Sequence, residues 1–138
     1  MTLLINVDVP DLERGIAFYA EAFGLRVTRR FGEDGAEMSG WPVSLFLLRN
    51  APGSTGAPGS KRTYERHWTP LHMDVVVNDI DAALSRATSA GAVIEKPVSV
   101  DVWGKIVVLS DPFGHGFCLI QFLNRGYDEI ADQPGAAC

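Results

Sequence analysis

An α+β fold made of two β-α-β-β-β halves is predicted by three observations. The first is a duplication: Asp11 registered on Asp79 gives an offset of 68 residues, at which Val7 meets Val75, Val9 meets Val77, Leu12 meets Ile80 and Ile16 meets Leu84. Self-similarity at a fixed period marks one supersecondary unit written twice. The second is that each copy changes period at its aspartate, from strand-like alternation to apolar residues at helical spacing. The third is that each copy continues through three further strand-like runs separated by turn residues. The informative mismatch in the duplication is that Leu4 falls on His72.

The elements follow in order. Leu3 to Val9 is rich in branched residues and reads as a strand, ended by Pro10-Asp11. Asp11 can accept a backbone N–H and cap the helix that follows. Leu12, Ile16, Tyr19 and Phe23 form its apolar stripe, and Gly24 suits the left-handed stop. Strands are predicted over Leu25–Phe31, Ala36–Ser39 and Val43–Arg49, with Gly40-Trp41-Pro42 as the bend between the last two. Asn50 to Arg62, with APGSTGAPGSKR after Asn50, shows no periodicity and reads as a linker or mobile loop. Leu71 to Val77 is the fifth strand, Asp79 caps the second helix, and Gly91 stops it. Ala92–Val100 contains Pro97 and is therefore an interrupted or edge strand. Trp103–Ser110 and Gly116–Phe122 are the last two strands, joined by the turn Asp111-Pro112-Phe113-Gly114. The expected organisation is one domain over 1–138, with repeats at 3–49 and 71–122, a linker at 50–70 and a polar tail at 123–138 that frays from Asp132.

Composition narrows the function classes. At 138 residues and 46% hydrophobic, the chain is a globular domain rather than a disordered segment. No apolar run approaches the ~18 residues of a membrane span, and no basic-then-apolar leader is visible. The two cysteines, Cys118 and Cys138, are far apart, which fits a reducing, cytoplasmic setting better than a disulfide framework. A net charge of −5 argues against nucleic acid and fits a neutral or cationic small ligand. Phosphate-loop, His-Glu-x-x-His and serine-elbow signatures are not found.

Strand parity selects candidate site residues. A helix covers one face of each sheet, and the opposite face must meet a partner sheet. On the fifth strand Met73, Val75 and Val77 would pack on the helix, leaving His72, Asp74 and Val76 on the concave face. Asn6 occupies the position equivalent to Asp74 in the first repeat, so both are polar anchors for a ligand. The His72 imidazole can give or take a hydrogen bond. Trp41, Trp68 and Trp103 are stacking candidates. Cys118 lies on the last strand with nothing basic beside it in sequence to activate the thiol. Glu65, Arg66 and His67 precede the fifth strand and could rim the cavity, whereas His115, in the turn, reads as exposed.

The segments VPDLERGIAFYAEAFGL and VNDIDAALSRATSAGA, with SDPFGHGFCLIQF near the end, resemble the vicinal oxygen chelate superfamily over Leu3 to Phe122. That superfamily includes glyoxalase I, extradiol dioxygenases, fosfomycin-resistance enzymes and bleomycin-binding proteins. The resemblance implies paired modules curling into a half-barrel around a pocket, and a homodimer. For metal-dependent members it implies three ligands: a His seven residues before each repeat's Asp, and a Glu seven after the Asp of Asp-Pro-x-Gly. Those positions here hold Leu4, His72 and Cys118. One imidazole with one thiol falls short of the three protein ligands of an open catalytic site.

The expected function is therefore metal-free binding or sequestration of a small organic molecule, more binder than enzyme, with no cofactor. His72, Asp74, Asn6, Trp103, Trp41 and Cys118 form the expected site. The alternative is a lyase, isomerase or dioxygenase whose divalent metal is held by a non-standard set, His72, Glu37 and Cys118.

Overall fold

The computed structural model describes residues 1–132. Cys138 and most of the segment expected to fray, residues 133–138, lie outside the described residues. The first unit runs β1 (Leu4–Val9), α1 (Leu12–Phe23), β2 (Arg26–Phe31), β3 (Gly35–Ser39) and β4 (Ser44–Arg49). The second runs β7 (Met73–Val76), α2 (Ile80–Ala90), β8 (Val93–Val100), β9 (Gly104–Ser110) and β10 (Gly116–Phe122). The sheets have the same order, β1-β4-β3-β2 and β7-β10-β9-β8. In each, the strand before the helix pairs in parallel with the last strand, and the remaining pairs are antiparallel. The duplication seen in sequence is thus a duplication of topology.

Local signals explain the elements. Asp11 and Asp79 accept from the N–H groups of Arg14 and Ala82, each at 3.1 Å, and Gly24 and Gly91 close the helices in left-handed conformations. A side-chain N-cap of this type contributes about 1 kcal/mol. Pro97 lies on β8, an edge strand whose register with β9 slips on both sides of Lys96; proline has no N–H to give a ladder, so an edge tolerates it.

The loop expected at Asn50 to Arg62 instead holds a small hairpin, β5 (Thr55–Ala57) with β6 (Ser60–Lys61). Gly53 N–H bonds to the Arg62 carbonyl at 2.8 Å, and Arg62 N–H to the Ser54 carbonyl at 2.7 Å. The Arg62 side chain then reaches Asp8 on β1 at 2.7 Å, and Asn50 donates to the same carboxylate at 2.9 Å. Composition reports the turn residues but not the distant carboxylate that fixes them.

The units join through their helix layers. α1 packs against α2, and the ring of Phe18 on α1 meets Phe113 and Phe117 of the second unit edge-on at 6.5 and 6.4 Å. One continuous core results, with Val9, Met38, Leu45, Leu47, Ile80, Val107 and Leu109 fully buried. Tyr19 on α1 donates to Asp111 of the second unit at 2.7 Å in this core. Burial first, and then the Asp111 charge, push its hydroxyl well above the ordinary tyrosine value. His115, read as exposed, is half-buried and bonds through Nε2 to the Asp8 carbonyl at 2.7 Å. The expectation that each concave face meets a partner sheet is not met within one chain: Leu4 on β1 and Val76 on β7 remain exposed, on unpaired sheet edges.

Candidate functional site

Strand β7 positions the site. Alternation turns Met73 and Val75 inward and leaves Asp74 and Val76 on the exposed face. His72, just before the strand, places Nε2 3.2 Å from Asp74 Oδ1. Parallel pairing sets Cys118 of β10 directly opposite Asp74. The donor atoms of His72, Asp74 and Cys118 consequently all lie within 4.8 Å of one another. Cys118 is 6% exposed, and its thiol is pushed up to about 11, first by burial and then by the neighbouring Asp74 carboxylate, against a smaller opposing effect of Lys96.

The segment before β7 passes over this face. Arg66 makes a paired contact with Glu95 on β8, at 2.6 and 2.8 Å, and its guanidinium fills the space a side chain at Gly116 would need. The contact holds the Glu95 carboxyl below the usual range despite partial burial. Gly114, at φ +90°, lies under the Tyr64 carbonyl, so this turn position accepts no Cβ. Two residues beyond Arg66, Trp68 brings its ring to 5.5 Å from that of His72 while remaining 64% exposed.

Beside the donors lies a cavity of about 470 Å³, lined by Ile5 of β1, Trp41, Pro42 and Val43 of the β3–β4 bend, and Met73 to Val76 of β7. It wraps the open edge of β7, so residues from both faces of that strand contribute. Asp74 is its single charged lining residue. Trp41 is braced edge-on against Phe23 at 5.1 Å. A volume of this size and an apolar wall with one polar anchor are the properties of a small-molecule site.

The structure therefore brings His72, Asp74 and Cys118 together, and Asp74 shares its cavity with Trp41. It separates the others. Asn6 is exposed on β1 opposite Phe46. Trp103 belongs to a different aromatic group, 5.0 Å from Tyr127 and 6.4 Å from Phe122, at the C-terminal 3-10 turn Gly126–Glu129. Glu37 lies on β3 of the first sheet in an ion pair with Arg29, whose hydrogen bond holds its carboxyl low, aided by Ser44 and Thr28. The third donor near His72 and Cys118 is Asp74 rather than Glu37, because strand pairing, invisible to local spacing, chooses the neighbour. Ile5 and Val43 were missed as lining residues, since parity assigns Ile5 to the helix side and says nothing of an edge.

The donor set can be tested against a metal. An imidazole, a carboxylate and a thiol, converging from two adjacent strands in fixed register, supply the three ligands of an open tetrahedral site for a borderline-soft ion. One carboxylate alone is a poor match for magnesium or calcium, which take oxygen ligands.

Comparison with known proteins agrees with this architecture. The family model "Glyoxalase-like domain" matches residues 4–120. An uncharacterized protein of Mycobacterium tuberculosis (strain ATCC 25618 / H37Rv) is 31% identical, over 94% of this chain and 84% of its own length. Among solved structures, a glyoxylase/bleomycin resistance protein/dioxygenase domain from Frankia sp. EAN1pec has a TM-score of 0.70 at 18% identity, covering 95% of this chain and 98% of that one. The genomically encoded fosfomycin resistance protein FosX from Listeria monocytogenes has a TM-score of 0.68 at 18% identity, covering 89% and 93%. TioX from Micromonospora sp. ML1 has a TM-score of 0.68 at 21% identity, covering 89% and 99%. With duplicated topology, a matching family model and these shared folds, the chain belongs to the glyoxalase/bleomycin resistance/dioxygenase family of the vicinal oxygen chelate superfamily.

Proposed function

We propose that this protein binds and sequesters a small organic molecule, its apolar body in the cavity beside β7 and a polar or cationic group against Asp74 and His72. The observation that carries the reading is the apolar cavity with Asp74 as its one charged wall. Such binding draws on apolar burial and a charge-assisted hydrogen bond, and the protein's own side chains supply both without a metal. Small size and neutral or positive charge fit the volume and the net charge of −5. A homodimer is part of the proposal: the unpaired edges of β1 and β7 expose Leu3, Leu4, Leu71 and Val76, apolar surface suited to a second copy. Size-exclusion chromatography with light scattering should give about twice the chain mass.

The test is a thermal-shift screen of chelator-treated protein against small aromatics and glycopeptide-like antibiotics. A ligand at a hundredfold its Kd adds about 2.7 kcal/mol, a shift of several degrees. Asp74→Asn and Trp41→Ala should each weaken a hit roughly tenfold or more, which is about 1.4 kcal/mol. Hits unaffected by both substitutions would place binding elsewhere. A second reading, turnover by a metal-dependent lyase, isomerase or dioxygenase, is favoured by the convergence of His72, Asp74 and Cys118.

A further inference from the structure

We propose that the corner between Phe122 and Tyr127, past the end of β7, is a second ligand site that takes a small organic cation of the methylated-ammonium class. It is separate from the cavity of the proposed function and does not rest on that reading.

Strand lengths create the corner. β7 ends at Val76, whose partner on β10 is Ile120, but β10 runs on to Phe122. On the β7 side no strand flanks Phe122, and its ring stays 39% exposed. The chain after β10 folds back beside it. Leu123 N–H bonds to the Trp103 carbonyl at 3.0 Å, and Asn124 Nδ2 donates to the Val102 carbonyl at 2.9 Å. Gly126, buried at φ +62°, lies against the Phe122 ring, where an added Cβ would stand 3.3 Å from a ring carbon. This return sets the Tyr127 ring nearly perpendicular to Phe122, at 77° and 4.8 Å between centroids. Trp103 backs Tyr127 at 5.0 Å and is not part of the wall. Rings this close admit nothing between them, so a ligand meets their outer faces.

The corner opens on a cavity of about 420 Å³ whose other walls are Asn124, Arg125, Gly126 and Asp128. Charge selects the ligand. Arg125 is held by Glu129 at 2.8 Å, so those two charges offset each other. Asp128 enters no ion pair or side-chain hydrogen bond among the described residues, which leaves its carboxylate beside two aromatic faces. Ring faces are the negative side of the aromatic quadrupole and attract cations, quaternary ammonium groups above all. An anion is repelled by the same faces and by Asp128, and a neutral molecule gains only apolar contact.

The experiment is proton NMR titration of the full-length protein with choline. The comparison ligand is its neutral isostere, with a tert-butyl group in place of the trimethylammonium. The choline N-methyl signal should move upfield and saturate, through the ring currents of Phe122 and Tyr127. The isostere should bind about fivefold more weakly or worse, and Tyr127→Leu should weaken choline by a similar factor. Asp128→Asn should cost about threefold at low salt and less at high salt. The isostere comparison uses the wild-type chain, so the test survives if Tyr127→Leu misfolds. Trp41→Ala and Asp74→Asn, in the other cavity, should leave choline affinity unchanged. Equal binding of the isostere, a choline signal that does not saturate, or affinity indifferent to both Tyr127→Leu and Asp128→Asn would each overturn the inference. So would loss of choline binding in Asp74→Asn, which would move the cation to the first cavity. Failure of choline to bind leaves the sequestration reading standing, since that reading is tested through Trp41 and Asp74.

Discussion

The two units share a topology and differ in what their exposed faces carry. In the first, β1 presents Leu4 and Asn6, and Asn6 pairs in register with Phe46, which stacks on Phe31 at 6.1 Å. In the second, β7 and the residue before it present His72 and Asp74, and Asp74 pairs with Cys118. The same backbone positions thus hold an aromatic, uncharged surface in one unit and a cluster of donors in the other. A duplicated scaffold keeps its helix-facing residues apolar because both copies feed one core. Its open faces are free of that constraint and can diverge. The polar groups of any site are therefore expected on the second unit, while both units line its apolar wall.

That contrast makes ranked predictions. Truncating the shared core should cost most and cost both units alike. Leu47→Ala under the first sheet and Leu109→Ala under the second, both fully buried, should each lose about 2–5 kcal/mol in chemical denaturation. A much smaller loss in one unit would show that the halves do not share a core. Next is the tie between units. Tyr19→Phe removes the buried bond to Asp111 and should cost about 1–3 kcal/mol. Because the Tyr19 hydroxyl is raised in the folded state, its contribution is complete below the unfolded value of about 10 and is lost as pH rises toward the folded one. Wild-type stability should therefore fall more steeply above about pH 10 than that of Tyr19→Phe, as read by urea midpoints across pH.

The faces come third. His72→Ala should change stability by no more than about 0.5 kcal/mol, as accessible sites usually do, yet weaken ligand affinity; Asn6→Ala, its neighbour in the other unit's pattern, should leave affinity unchanged. A large fall in Tm for His72→Ala with intact binding would assign that imidazole to structure. The smallest effect belongs to Arg29→Ala. Its pair with Glu37 is largely solvent-exposed on the arginine side, where water and salt screen the attraction, so its denaturation midpoint should barely move.

Much of the fold was readable beforehand because the signals are local. Asp11, Gly24, Asp79 and Gly91 mark both helices, and Pro97 marks an edge. The site was readable only in part. Parity alone assigns His72 and Asp74 to one face, but Trp103 faces Tyr127 and Glu37 binds Arg29. The hairpin at 53–62 and the buried side of His115 both depend on Asp8, a residue far off in sequence.

By itself, then, the sequence determined the duplicated β-α-β-β-β plan, the helix limits and the apolar faces, because caps and hydrophobic periodicity act over a few residues. Tertiary structure decided which side chains meet: Asp74 with Cys118, Ile5 and Trp41 around one cavity, Tyr19 with Asp111. Those meetings are set by strand register and helix packing between segments as many as 92 residues apart, distances over which no short-range pattern carries information.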